Sequence, residues 1–481
     1  MQGVRRPQRL SGLDASFLYL ETANQPVQVF MVMKLDASTI PGGYSYDRFR
    51  EALAERIQGI PAFREKLSDP FLNLDHPAWV ADSNFDIDRH VHRVGLRAPG
   101  GPAEMAEILG VLAGLPLDRR APLWEMWVIE GADGSLDDDR LSVLLKVHHA
   151  AADGVTYGDF LSLLCTAEPD PPPPALVEAA APAGPVAMAL DGLAGFVRRP
   201  VLLFSTVVPG TFRAVADIIR RTRAGRAMAA PFSAPRTRFN GVIGTRRNVA
   251  IARLDLDDVK KVKNHFGVTV NDVIMALVSG VVRQFLLERG ELPKRSLVAL
   301  VPASVHEATD QPSRNQVSGM FTRLQTQVAD PVERLRAVAE ANTIAKEQTS
   351  AIGPTLLQDW FEIFGPIAMG IAKRIYGRLT RFRPMYNVIV SNVPGPTMKY
   401  FLGAEVLAAP PFGPVLLGAG LNVTLASING KLDFGLISCP DLVPNLSELA
   451  DGLAVGLTEL LAEIGSAAEA STPSPTRTAT G

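Results

Sequence analysis

The residues best suited to chemistry lie in one nonapeptide, Lys146-Val147-His148-His149-Ala150-Ala151-Ala152-Asp153-Gly154. An imidazole titrates near neutrality, so it can take a proton from a hydroxyl and return it to a leaving group. The apolar run Leu141 to His148 reads as a strand, and neighbours on a strand point to opposite faces. Val143, Leu145, Val147 and His149 then share one face, and Ser142, Leu144, Lys146 and His148 the other. One ring can face a reaction channel while the other supports it. The small residues Ala150 to Ala152 leave room beside the imidazole. Asp153 can cap the following helix or pair with an arginine. Gly154 permits close backbone approach or a positive φ. Taken alone, such a pair more often serves packing than catalysis.

Other chemistries find less support. His90 and His92 stand two apart, but no cysteine or carboxylate set completes a zinc pattern, so no metal is expected. The sequence has neither a G-x-x-x-x-G-K-[ST] phosphate loop nor a G-x-S-x-G elbow, which argues against a nucleoside triphosphatase or a serine hydrolase. Cys165 and Cys439, the two cysteines, sit in no motif that suggests a covalent acyl intermediate. Two thiols so far apart make no disulfide framework and fit a reducing cytosol.

The elements that would position the histidines alternate between strand and helix, which points to an α/β (α+β) chain. In the first part, Val27 to Leu35, Trp127 to Ile129 and Leu141 to His148 read as strands, while Tyr46 to Ile57 and Val155 to Leu164 read as helices. Glu168 to Pro185, with Pro171-Pro172-Pro173-Pro174, reads as an extended linker. Val186 to Met228 is apolar, edged by arginines and interrupted by Pro200, Pro209 and Gly210. It reads either as an amphipathic hairpin in a membrane interface or as a helical linker packed on the domains. Beyond Pro235, strands are expected at Val249 to Leu256, Ser296 to Pro302, Gln316 to Gln325, Tyr386 to Asn392, Val415 to Ala426 and Lys431 to Ser438. Helices are expected at Asp257 to Gly267, Asp272 to Arg289, Pro331 to Thr349, Gly353 to Leu379 and Pro444 to Ile464. The organisation is thus an N-terminal domain over 1–167, a linker and amphipathic segment over 168–234, a C-terminal domain over 235–465 and a disordered tail over 466–481.

The bulk properties agree. A chain of 481 residues, 47% hydrophobic and 20% charged, can bury more than one core. Its 48 basic and 50 acidic side chains give a net charge of -2, so nucleic acid is not an expected partner. Met1 to Gly12 lacks the apolar run of a signal peptide. No run of 18 or more uninterrupted apolar residues is present, so the chain is expected to be soluble or to lie on a membrane surface rather than span it.

The pattern H-H-x-x-x-D-G resembles the signature of the coenzyme A-dependent acyltransferase superfamily, which includes chloramphenicol acetyltransferase and peptide-synthetase condensation domains. Further segments narrow the likeness: Leu13-Asp14-Ala15-Ser16-Phe17-Leu18-Tyr19-Leu20-Glu21-Thr22, Pro122-Leu123-Trp124, Pro235-Arg236-Thr237 with Phe239-Asn240, Asn271-Asp272, and Ser391-Asn392-Val393-Pro394-Gly395-Pro396. Together, from about Leu13 to Ile464, they resemble the bacterial wax ester synthase/diacylglycerol acyltransferases of the actinobacterial triacylglycerol synthase type. One departure is Arg314-Asn315, where members of the family commonly have Gly-Asn. An arginine cannot copy a glycine at positive φ without strain, which puts the local loop geometry in doubt.

That resemblance implies two chloramphenicol-acetyltransferase-like domains with a substrate tunnel at their interface. It implies His149 as the general base, His148 as its partner, and Asp153 and Gly154 as structural members of the motif. Pro122, Leu123 and Trp124 would lie near the tunnel, or pack as core after a turn. Asn271 and Asp272 would open a long helix, where capping suffices to explain them. Asn422 and Ser427 are candidate donors to the oxyanion of the tetrahedral intermediate. The implied reaction moves a long-chain acyl group from acyl-CoA, a co-substrate rather than a bound cofactor, to diacylglycerol or a fatty alcohol. The expected place is cytoplasmic, on the inner face of the membrane or on lipid droplets. Two alternatives stay open: an acyltransferase of the same fold with a soluble acceptor, and a lipid-binding protein without turnover.

Overall fold

The computed structural model describes residues 7–68, 75–131, 140–151, 163–172, 174–179, 185–225, 227–304, 317–352, 356–380, 382–393, 395 and 399–470. Two large sheets carry the fold. The first has eight strands, in the order Val91–Gly95, Trp124–Glu130, Arg140–His148, Gln28–Asp36, Ala404–Ala408, Tyr400–Phe401 and Cys165–Thr166, with Pro411–Phe412 also paired to Gln28–Asp36. The second has six, in the order Val317–Arg323, Val298–Ser304, Val388–Val393, Leu421–Ile428, Lys431–Ser438 and Asn248–Asp255. This is the expected mixed α/β architecture. The sheets do not divide cleanly at the linker, because the first is completed by strands from residues 400–412.

The strand that ends at the histidines is central in its sheet. Arg140–His148 pairs antiparallel with Gln28–Asp36 on one side and with Trp124–Glu130 on the other. Val143, Leu145 and Val147 bury one face in a cluster with Phe63 and Trp124, and Leu144 faces a second cluster. Each such side chain contributes about 1.5–3 kcal/mol on leaving water. On that second face Lys146 is fully buried. It pairs with Glu125 at 2.8 Å and reaches the Leu112 and Leu115 carbonyls at 3.4 and 3.2 Å. Those carbonyls end the helix Pro102–Gly114, where a cation is favoured.

The two sheets meet through the segment that crosses between them. Phe412 stacks on Phe30 with ring centroids 4.5 Å apart. The apolar cluster around this pair draws Leu109, Leu112 and Leu144 from the first part of the chain and Val249, Ile437 and Cys439 from the second. Asp433, buried on the second sheet, accepts from Ala409 N at 2.9 Å and pairs with Arg253 at 3.0 Å. Asn422 donates to the Pro414 carbonyl at 2.9 Å. At Gly435 the strands touch: a Cβ there would lie 2.0 Å from the Pro411 carbonyl oxygen. Gly395, in the Ser391 to Pro396 motif, would likewise place a Cβ 2.0 Å from the Ser427 carbonyl oxygen.

Helix ends follow local rules. Asp255 caps Leu256–Phe266, and Gly267 closes that helix at φ 68°. The long helix Val270–Glu288 starts two residues before its expected Asp272. Thr269 is the cap, with Asp272 as its reciprocal partner in a capping box.

Four other expectations are corrected. Within Gly353 to Leu379 the described residues form two helices, Leu356–Ile363 and Pro366–Leu379, because Gly365-Pro366 separates them and Pro366 starts the second. Val186 to Met228 forms no hairpin. Pro185–Leu202, a π-helical turn over Leu203–Val207 and Val208–Arg223 follow as one helical run, with Pro209 tolerated in the first turn of its last part. Val415 to Gly420 is a turn rather than strand, and the C-terminal helix continues to Ala470, past the expected start of the tail. The expected helix Val155 to Leu164 falls almost wholly outside the described residues.

Among the described residues, two helices are long and apolar enough to cross a membrane: Val270–Glu288, which is mostly core, and Gly192–Arg223, whose most apolar 18-residue stretch is 11% buried. Replacing Gly435 by Ala should force the Pro411–Phe412 strand away from the second sheet and cost about 1–3 kcal/mol. The measurement is a urea melt, read as a lower midpoint at unchanged slope. An unchanged midpoint would show that the contact between the sheets is loose.

Candidate functional site

The histidine pair stands where the central strand ends, and three backbone bonds fix it there. His148 N donates to the Leu123 carbonyl and His149 N to the Val27 carbonyl, both at 2.9 Å, and Ala151 N closes a turn onto the His148 carbonyl at 2.8 Å. The strand partners on both sides therefore continue to hold the chain one residue past its last regular pair.

The two rings have different surroundings. His148 is fully buried. Its Nδ1 accepts from Ala150 N at 3.0 Å, which in the neutral ring leaves the proton on Nε2. That nitrogen faces Glu21 Oε1 at 3.4 Å, an ion-pair distance too long for a strong hydrogen bond. His149 is only half-buried, and its ring lies against Phe17 with centroids 4.0 Å apart. One imidazole is thus enclosed and held, and the other is packed on one side and partly open. The strand ends at His148, and His149 opens the turn that follows.

Glu21 is the residue that sequence reasoning did not single out, although it lies in the Leu13 to Thr22 motif. It follows the helix Gly12–Leu20, whose Phe17 touches His149. Arg119 clamps its carboxylate, with Nε at 2.8 Å and a second bond from Nη2, and Arg119 also donates to the Leu18 carbonyl at 2.7 Å. Glu21 Oε1 accepts from Val27 N at 3.3 Å, and Val27 is the residue whose carbonyl holds His149. One carboxylate therefore touches the side chain of the first histidine and the backbone support of the second. Burial alone would raise its pKa, but the His148 ring and the Arg119 guanidinium outweigh burial and hold it at about 2.

The remaining candidates separate. Leu123 and Trp124 are buried. Leu123 packs on Ala150, and Trp124 donates to the Phe63 carbonyl at 2.9 Å and stacks on His90 at 4.6 Å. Pro122 is buried beside them, and the Leu123 carbonyl is the acceptor that holds His148 N. Asn422 is buried and fixes the crossing segment through Pro414. Ser427 is exposed five residues further along the same strand, roughly 17 Å at the usual rise, so the two do not form one donor set. Asp272 is taken up by Thr269 and by Asn342, which donates to Asp272 Oδ1 at 2.8 Å, and Asn271 lies half-buried beside it. Asp153, Gly154, Arg314 and Asn315 lie outside the described residues.

No cluster of three or more metal-ligating side chains occurs among the described residues. His90 sits between Phe85 and Trp124, and His92 leans on Trp127. Both cysteines are buried, and burial pushes the Cys165 thiol up to about 12, far from a reactive thiolate.

Because the folded pKa of Glu21 is depressed, its stabilisation is complete above its ordinary value of 4.5 and is lost as pH falls towards about 2. The stability gap between the wild type and Glu21→Gln should therefore be constant above about pH 5 and narrow between 4.5 and 2. Chemical melts at stepped pH read this directly. A gap that did not narrow would mean that the buried carboxylate is not the charged group described.

Comparison with known proteins shows the family. Residues 10–274 match the family model of the wax ester synthase/diacylglycerol acyltransferase catalytic domain, and residues 314–461 match the C-terminal domain of the same family. A chain from Mycobacterium tuberculosis H37Rv, named by inference as a diacylglycerol O-acyltransferase, is 52% identical over 456 residues, 94% of this chain and 90% of that one. A second from the same strain, named in the same way, is 32% identical over 464 residues, 94% and 97% of the two chains. Among solved structures, the wax ester synthase/diacylglycerol acyltransferase of Marinobacter aquaeolei VT8 superposes with a TM-score of 0.68 at 26% identity, covering 95% of this chain and all (100%) of that one. The trichothecene 15-O-acetyltransferase of Fusarium sporotrichioides shares the fold, with a TM-score of 0.57 at 13% identity over 94% and 95% of the two chains. A buried histidine beside a half-open one at the end of a central strand, in a chain matched along most of its length, leads to one conclusion: this protein is an acyltransferase of the wax ester synthase/diacylglycerol acyltransferase family.

Proposed function

We propose that this enzyme transfers a long-chain fatty acyl group from acyl-CoA to the free hydroxyl of diacylglycerol, and also accepts a fatty alcohol, with His149 as the general base. The observation that carries the proposal is the unequal burial of the two rings. Only His149 is open enough to meet a substrate, and only His148 is held tightly enough to be its support.

The reaction proceeds in one ternary complex. His149 takes the hydroxyl proton as the oxygen attacks the thioester carbonyl, and a tetrahedral oxyanion forms. The oxyanion collapses, the carbon–sulfur bond breaks, and the imidazolium returns the proton to the departing thiolate. The products are an ester and free CoA thiol, and the base is regenerated. Neither buried thiol is needed. Asn422 acts through the crossing segment that it fixes. Ser427 is exposed near the far end of the same strand.

The substrates are lipids, and the proposal places the enzyme at a lipid surface on the cytoplasmic side, either the inner membrane face or a droplet. The helical run Pro185–Arg223 supports this. Phe196, Phe204 and Phe212 are 51, 71 and 73% exposed on it, while Val207 and Ala214 are buried against the protein. A helix packed on its own protein along one side suits an interfacial position better than a spanning one.

General-base assistance is typically worth about 10²- to 10⁴-fold, so His149→Ala should lose that much turnover with its melting curve unchanged. The check is release of free thiol from long-chain acyl-CoA, with diacylglycerol, fatty alcohol or a soluble alcohol as acceptor. Full turnover in a folded His149→Ala protein would end the assignment. Preference for the soluble alcohol would move it to the other acceptor class.

A further inference from the structure

The helix Gly12–Leu20 is gripped at both ends by the segment 356–379. At its start, Gly12 N donates to Glu362 Oε2 at 2.5 Å. The approach is so close that a Cβ on Gly12 would lie 2.3 Å from the Glu362 backbone nitrogen. At its end, Lys373 Nζ reaches the Tyr19, Leu20 and Glu21 carbonyls at 3.3, 3.4 and 3.4 Å. An anion at the amino end and a cation at the carboxyl end both match the helix dipole. The gripped helix carries Phe17 against His149 and leads into Glu21 beside His148.

The outer side of the gripping segment is apolar. On Pro366–Leu379, Met369, Lys373 and Tyr376 face inward, whereas Ile367, Ile371, Ile375 and Leu379 recur every four residues and are 82, 53, 51 and 48% exposed. A stripe of exposed branched aliphatic side chains calls for a cover. The run Pro185–Arg223 is also exposed, and Trp360, on the preceding helix Leu356–Ile363, ties it to the gripping segment by donating to Thr211 Oγ1 at 2.9 Å. Charge identifies the cover. Arg374, Arg378 and Arg383 lie on or just after the helix, and no acidic residue occurs between 366 and 383. An anionic lipid surface fits both the stripe and its rim.

Resting on the acyltransferase reading above, we propose that Lys373 is a positioning residue: seating Pro366–Leu379 on an anionic lipid surface is passed through Lys373 and Glu362 to the helix Gly12–Leu20, and so sets the histidine pair for turnover. The enzyme is then more active per molecule on a surface than in free solution, beyond the gain from concentrating its substrate there. Arg199, from the other lipid-facing run, adds a second tether. It pairs with Asp75 at 2.8 Å, beside His76, whose Nδ1 meets the Tyr19 hydroxyl at 3.1 Å.

The test uses the full chain, a soluble short-chain acyl-CoA and a soluble short-chain alcohol, with and without phosphatidylglycerol vesicles. Vesicles should raise wild-type kcat several-fold. The double variant Ile371→Glu/Ile375→Glu should keep the basal rate, fail to float with vesicles and show no stimulation. Lys373→Met should still float, yet lose about tenfold in kcat on vesicles with KM little changed, the scale expected when a catalytic group is misplaced. Lys373→Arg, which can still donate to the carbonyls, should recover most of that loss and also covers the case in which Lys373→Met does not fold. Wild-type transfer indifferent to vesicles, or full kcat in folded Lys373→Met, would overturn the coupling and leave the proposed reaction standing. Absence of any acyl transfer by the wild type would instead overturn the proposed reaction itself.

Discussion

The arrangement depends on a buried carboxylate. Glu21 lies at the point where the N-terminal helix, the first strand of the central pair and the histidine strand converge, and its charge is held in place by Arg119. A buried anion is costly unless it is paired and hydrogen-bonded. Here the compensating groups are those that must be positioned for chemistry: the His148 ring, the Val27 amide and, through Arg119, the carbonyl end of the helix that carries Phe17. Satisfying that one charge therefore aligns several elements at once. The half-open His149 ring is placed in turn by its backbone bond to Val27 and by Phe17.

The two sheets serve this point from different directions. The first supplies the strand end, held by the Leu123 carbonyl on one side and the Val27 carbonyl on the other. The second sheet sends residues 400–412 back into the first, and Asp433, Asn422 and the bare face of Gly435 hold that crossing tightly. The result is a site built beside a junction of two sheets rather than inside either core. The outer helices then connect the junction to the apolar face.

Much of this was legible in the sequence. The alternation through Lys146 and Val147 was legible, because a period of two is imposed by the strand whatever lies around it, but the strand stops at His148 and His149 opens the turn that follows. Lys431 to Ser438 came out at its observed boundaries, since a short run of strand-forming residues between Asn429-Gly430 and Pro440 carries its own signal. The histidine motif and its companion segments carried the family and the fold.

What sequence did not reveal is what depends on distant partners. Ala404–Ala408 and Pro411–Phe412 are short and rich in Ala and Pro, and they become strands only because Gln28–Asp36, more than 360 residues away, offers its edge. Glu21 looks like an ordinary surface acid until Arg119 and His148 arrive. Asp272 looked like a helix cap, but Thr269 takes that position, and only the fold brings Asn342 to Asp272. Which side of Pro366–Leu379 faces out was not legible either, because an exposed aliphatic face and a buried one have the same periodicity.

The central claim is that position 149 carries the substrate-facing imidazole and position 148 the enclosed one. Acylation of histidine by diethyl pyrocarbonate, mapped by mass spectrometry alongside residual transferase activity, tests it most directly. The account predicts that activity falls in step with modification of His149, that His148 stays unmodified in the folded protein, and that acyl-CoA protects His149. Loss of activity while His149 remains unmodified, or modification of His148 ahead of it, would contradict the account.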